Sequence, residues 1–102
     1  MIHMTVDTNK DIGARVSELY DAIENTHVWK MSDRRRTKNL KLTHESQNVM
    51  GTVRRINVKN KSQLEFECKS KDPTQEAITA GRFVNLLLRH LESVSHIVIE
   101  RK

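Results

Sequence analysis

The sequence predicts an α+β fold in two layers, with two helices on one face of an antiparallel sheet. Three observations carry that reading. Apolar residues recur at helical spacing twice, as Ile12, Val16, Leu19 and Ile23 and as Ala77, Ala80, Val84, Leu87, Leu88 and Leu91. An alternating strand pattern precedes each helix, at residues 2–6 and 64–68. Between the two halves, and again near residue 97, the chain is rich in β-branched residues.

Each element has a local cause. Ile2, Met4 and Val6 alternate with His3 and Thr5. Thr8 is placed to cap a helix over residues 9–25, with Asp11 three positions on, as in a capping box. Lys10, Asp11, Arg15, Glu18 and Asp21 form that helix's polar face. Residues 27–31 return as a strand. Leu40 and Leu42 alternate with Lys41 and Thr43 over 39–44, the polar 45–48 turns, and 49–59 completes a hairpin. Leu64, Phe66 and Cys68 then alternate with Glu65, Glu67 and Lys69.

Asp72-Pro73 starts the second helix, because aspartate accepts free backbone N–H groups at the cap and proline suits the first turn. That helix is expected to reach about residue 93. Residues 96–101 form the last strand, and the unbroken Ile97-Val98-Ile99 predicts an internal place in the sheet.

The two halves share a pattern. Gly13, Val16, Leu19, Tyr20 and Ile23 match the spacing of Gly81, Val84, Leu87, Leu88 and Leu91. Thr26-His27-Val28 answers Ser95-His96-Ile97. A duplicated βαβ unit, residues 2–31 and 63–101, would give a ferredoxin-like sandwich around a pseudo-two-fold axis. The basic stretch 32–61 would then be an inserted hairpin in a single domain, 1–102. The alternative is that two amphipathic helices share apolar spacing by accident. Mid-helix glycine costs about 1 kcal/mol relative to alanine. Two glycines at matched positions therefore predict close approach of helix to helix, unless they are merely tolerated.

Composition narrows the class. The chain has 102 residues, 36% hydrophobic and 30% charged, with one proline, so collagen-like and low-complexity chains are excluded. It holds no run near the roughly 20 apolar residues that span a bilayer, so no membrane partner is expected. One cysteine, Cys68, allows no internal disulfide and suits a reducing compartment. With no signal-peptide blocks at the start, a cytoplasmic protein is expected.

The net charge of +5 is unevenly placed. Residues 30–61 hold ten basic groups against Asp33 and Glu45, a local +8, while the rest of the chain sums to −3. Guanidinium groups bind phosphate bidentately. Arg34, Arg35, Arg36, Lys38, Lys41, Arg54, Arg55 and Lys59 are thus the candidate nucleic-acid-binding residues. On a strand, Arg54 and Arg55 must point to opposite faces, which predicts an edge strand or projecting ribbon. The competing reading is a charged edge that blocks aggregation. RNA-recognition motifs need glycine and stacked aromatics on one strand. Residues 63–69 instead offer one aromatic between two glutamates, so sequence-independent contact with RNA or DNA backbone is expected.

No catalytic or cofactor motif stands out. His3, His27, His44, His90, His96 and Cys68 lack metal-ligand spacing. There is no G-x-S-x-G elbow and no glycine-rich phosphate loop. Cys68, in phase with Leu64 and Phe66, reads as an inert buried thiol. Ile78, Phe83 and Leu86 fall outside the seam assigned to the second helix, which predicts a homodimer interface there. The leading expectation is a small non-enzymatic nucleic-acid-binding protein. The alternative is a protein- or peptide-interaction module, a homodimeric adaptor using a groove between the two βαβ-like units.

Overall fold

The computed structural model of the chain describes residues 1–8, 12–26, 29–31, 41–44, 51–56 and 63–102. In chain order these form β1 (Ile2–Thr8), α1 (Ile12–Thr26), β2 (Trp29–Met31), β3 (Lys41–His44), β4 (Thr52–Ile56), β5 (Leu64–Lys69), α2 (Pro73–His90) and β6 (Val94–Arg101). The α+β class stands, and the two helices with one sheet are compatible with two layers. Residues 9–11, which the sequence adds to the first helix, lie outside the described residues.

The sheet runs β2-β3-β4-β5-β1-β6, with every neighbouring pair antiparallel. β1 and β2 therefore point the same way with three strands between them, while β5 and β6 do so with only β1 between. The two β–α–β crossovers differ in span, so the sheet does not establish a repeat. Two expectations about strand position are overturned. β4 sits inside the sheet between β3 and β5, and among the described residues β6 is an edge strand. Its run of Ile97, Val98 and Ile99 reflects an apolar edge, because Val98 is 50% and Ile99 54% exposed.

The core lies on one face of the sheet. Ile2, Met4 and Val6 of β1 share it with Leu64, Phe66 and Cys68 of β5 and Val53 of β4. Leu19, Tyr20, Ala22 and Ile23 of α1 and Ala80, Phe83, Leu86 and Leu87 of α2 close it. Phe83 is the centre of an aromatic trio, edge-on to Phe66 at 4.8 Å and to Trp29 at 5.6 Å between ring centroids.

The buried stripe of α2 is rotated from the seam the sequence suggested. Phe83 is fully buried and Leu86 is 4% exposed, whereas Ala77 is exposed and Leu88 is 62% exposed. Phe83 and Leu86 are thus core residues and not a free surface; only Ile78 of the three expected interface residues is exposed. The larger phenylalanine takes the face toward the sheet and turns the leucine outward. Gly81 is exposed, and a Cβ there would meet nothing within 4 Å, so it marks no close helix approach. Gly81→Ala is expected to stabilise the fold by about 1 kcal/mol, read by chemical denaturation.

α2 starts as the sequence implies. Asp72 accepts the Thr74 N–H at 2.9 Å, and Pro73 occupies the first turn. Glu76 accepts the Ser70 N–H at 3.1 Å and pairs with the Met1 ammonium at 3.0 Å. The hydrogen bond to that ammonium holds the Glu76 carboxyl below its usual range. Beside it Cys68 is fully buried, its thiol donating toward the Glu76 carbonyl at 3.5 Å. Burial, reinforced by the nearby Glu76 charge, pushes the thiol up to about 12, far from any reactive thiolate.

Candidate anion-binding site

The basic residues singled out from the sequence do not converge on one described surface. Arg34, Arg35, Arg36, Lys38 and Lys59 lie outside the described residues. Lys41 opens β3, in register with Arg54 of β4. Arg54 and Arg55 do face opposite ways, as strand geometry requires. Arg54 points to the sheet face away from the helices and donates to the Glu67 carboxylate at 3.1 Å, with the Lys69 ammonium 3.7 Å from the same carboxylate. Arg55 turns to the helix side, in register with Phe66, and is only 7% exposed. Its Nε has no hydrogen-bond partner among the described residues. Arg54 is ion-paired through one nitrogen with its side chain 46% exposed, and Arg55 is buried.

A different set of cations gathers at the junction of the two helices. α1 ends at Thr26, whose hydroxyl donates to the Ile23 carbonyl at 3.0 Å and accepts the Trp29 N–H at 3.4 Å. That pair of hydrogen bonds, one donated and one accepted by the hydroxyl, fixes the start of β2 against the end of α1. Trp29 is thereby held over Phe83, and beside it opens a cleft of about 350 Å³. Its lining is Asn25, Thr26 and Trp29 on one side and Arg82, Asn85, Leu86, Arg89 and His90 on the other.

Helical geometry explains the second wall. Positions 82, 85, 86 and 89 follow the i, i+3, i+4, i+7 pattern, so they share one face of α2. Leu86 and Trp29 form an apolar floor, while Arg82, Asn85, Arg89 and His90 are exposed at the rim. Arg89 and His90 also sit in the last turn of α2, where the helix dipole favours cations. That local role competes with a binding one. Arg82, two turns earlier, already makes an interaction within the protein.

The charge balance favours an anion. Among the described residues no carboxylate lines the cleft, and two guanidinium groups do. The end of α1 brings the partial charge of a helix C-terminus, equivalent to about half a negative charge. The last turn of α2 adds a second such partial charge, and Arg82 already has a partner within the protein, so the cationic character of the rim rests chiefly on Arg89. Asn25 and Asn85 add neutral amide donors, while the Thr26 hydroxyl is already committed to the Ile23 carbonyl. Sequence reading missed this site because its residues come from three elements, and Arg82 and Arg89 stand outside the basic stretch. The signal available was the i, i+7 pair of arginines flanking Asn85.

The described residues contain no group of three or more His, Cys, Asp or Glu side chains able to hold a metal ion. None of their helices is long and apolar enough to cross a membrane. Comparison with protein-family models, curated proteins and solved structures finds no match to this chain.

Proposed function

We propose that this chain is a small, non-enzymatic nucleic-acid-binding protein of the cytoplasm that grips backbone phosphate without reading sequence. The observation that carries this reading is the cleft between α1, β2 and α2, with Arg89 and the already engaged Arg82 at its rim and no carboxylate among its described lining residues. The basic cluster Arg34-Arg35-Arg36 follows Trp29 by five residues, a tether of at most about 18 Å. Less weight falls on Arg54, which is ion-paired with Glu67, and on Arg55, which is buried.

The architecture supports a related proposal. With β3 and β4 set aside, the remaining strands run β2-β5-β1-β6, the interleaved order of two split βαβ units. On this reading the chain is a ferredoxin-like fold widened by a hairpin between β5 and β2.

Fluorescence anisotropy with a labelled duplex and a labelled single strand, over a salt series, tests the binding. Each phosphate contact adds about −0.9 to the slope of log affinity against log salt for duplex DNA. Replacing both Arg82 and Arg89 by alanine should flatten that slope by about two and weaken all sequences alike. Arg54→Ala should leave it unchanged. Binding by the Arg82/Arg89 double variant equal to wild type throughout the series would sink the proposal. The second reading, a protein- or peptide-interaction module, has the open β6 edge in its favour and would then lead.

A further inference from the structure

β6 pairs with β1 on one side and with nothing described on the other. One pair of bonds reveals which backbone groups face the open side. Lys102 N donates to the Met1 carbonyl at 2.8 Å, and Met1 N donates back to the Lys102 carbonyl at 3.2 Å. Met1 and Lys102 are thus a hydrogen-bonded pair, and such pairs alternate along an antiparallel ladder. The register His3↔Glu100, Thr5↔Val98 and Asp7↔His96 makes these the other bonded pairs. Ile97, Ile99 and Arg101 accordingly turn their N–H and C=O groups to the open edge.

The side chains divide the other way. Ile97 and Ile99 lie on the helix side, in register with Val6 and Met4, while His96, Val98 and Glu100 lie on the far face. Val94–Arg101 contains no lysine or proline, and its single irregularity falls at the Asp7/Thr8 end. The usual guards of an exposed edge are therefore missing over its apolar centre. The opposite edge, β2, is only three residues long.

We propose that a second copy of this chain pairs antiparallel on β6, about a two-fold axis through Val98 normal to the sheet. Only a register centred on a residue keeps helix face beside helix face. Centring on Val98 sets Ile97 against Ile99 and lets their outward backbone groups exchange hydrogen bonds. It also sets His96 against Glu100 twice, in non-hydrogen-bonded pairs where side chains come closest. Centring on Ile97 would oppose His96 to Val98 and Glu100 to Val94. Centring on Ile99 would oppose Val98 to Glu100 and Ile97 to Arg101. The Val98 register alone matches apolar with apolar and imidazole with carboxylate. This inference does not depend on the anion cleft, which lies on the other side of the sheet order, beside β2.

Sedimentation equilibrium of the full chain, from micromolar to millimolar, tests it. Wild type should dimerise. His96→Glu places carboxylates opposite each other at two sites and should weaken the dimer about tenfold or more. The swapped pair His96→Glu/Glu100→Lys restores opposite charges and should recover most of that loss. Circular dichroism of each variant confirms that it is folded. A wild type that stays monomeric at every concentration overturns the proposal. So does a dimer indifferent to His96→Glu, a swap that recovers nothing, or a dimer lost instead on Leu88→Glu, which would place the contact on α2.

Discussion

Phe83→Ala is expected to destabilise the fold by about 3–5 kcal/mol, the range for deleting a fully buried aromatic. The side chain is fully buried between Phe66 and Trp29, and its loss empties the junction of both layers. Small domains are stable by only about 5–15 kcal/mol, so the variant should sit near the edge of unfolding. The contrast that checks the mechanism is Leu88→Ala. Leu88 is 62% exposed, so its truncation should move the denaturation midpoint by no more than about 0.5 kcal/mol equivalent. The anion cleft should also suffer in Phe83→Ala, because Trp29 would lose its support.

The second large effect is expected at Gly51, immediately before β4. A Cβ there would press into Thr79 of α2, reaching the hydroxyl and lying 2.8 Å from the threonine Cβ. Thr79 is fully buried and its hydroxyl donates to the Gln75 carbonyl at 2.8 Å, so it cannot swing aside. Gly51→Ala should cost about 1–3 kcal/mol through overpacking. Adding Thr79→Gly should relieve the clash, so the pair of changes should cost less than their sum in a double-mutant cycle. Strict additivity would show that helix and strand do not meet there.

Element type was readable wherever a period was sustained. The alternation of Leu64, Phe66 and Cys68 and the cap at Asp72-Pro73 correspond to β5 and to the start of α2. Phase and position were not readable in the same way. The buried stripe of α2 depends on which of several apolar residues meets Phe66, a partner far off in sequence. Likewise a run such as Ile97-Val98-Ile99 records β propensity and apolarity, but neighbours decide whether a strand is central or at an edge. The cleft was hidden for a related reason: local charge density drew attention to residues 30–61, while Asn25, Trp29, Arg82 and Arg89 meet only through tertiary packing. Gly51, unremarkable in sequence, matters because of a helix that follows it by more than twenty residues.

The order of the sheet also sets a timetable for synthesis. β1 leaves the ribosome ahead of the other described strands, yet its two sheet partners are β5 and β6, the last of them to be made. At about 5–20 residues per second, some 60 residues of delay mean roughly 3–12 s between the appearance of β1 and that of its first partner. Through that interval Ile2, Met4 and Val6 have no sheet to join, and closing so long a loop is itself slow. The nascent chain thus carries an unpaired apolar strand until β5 and β6 have been made. A ribosome-bound chain halted before residue 64 should be protease-sensitive along β1, and one extended past β6 should protect it.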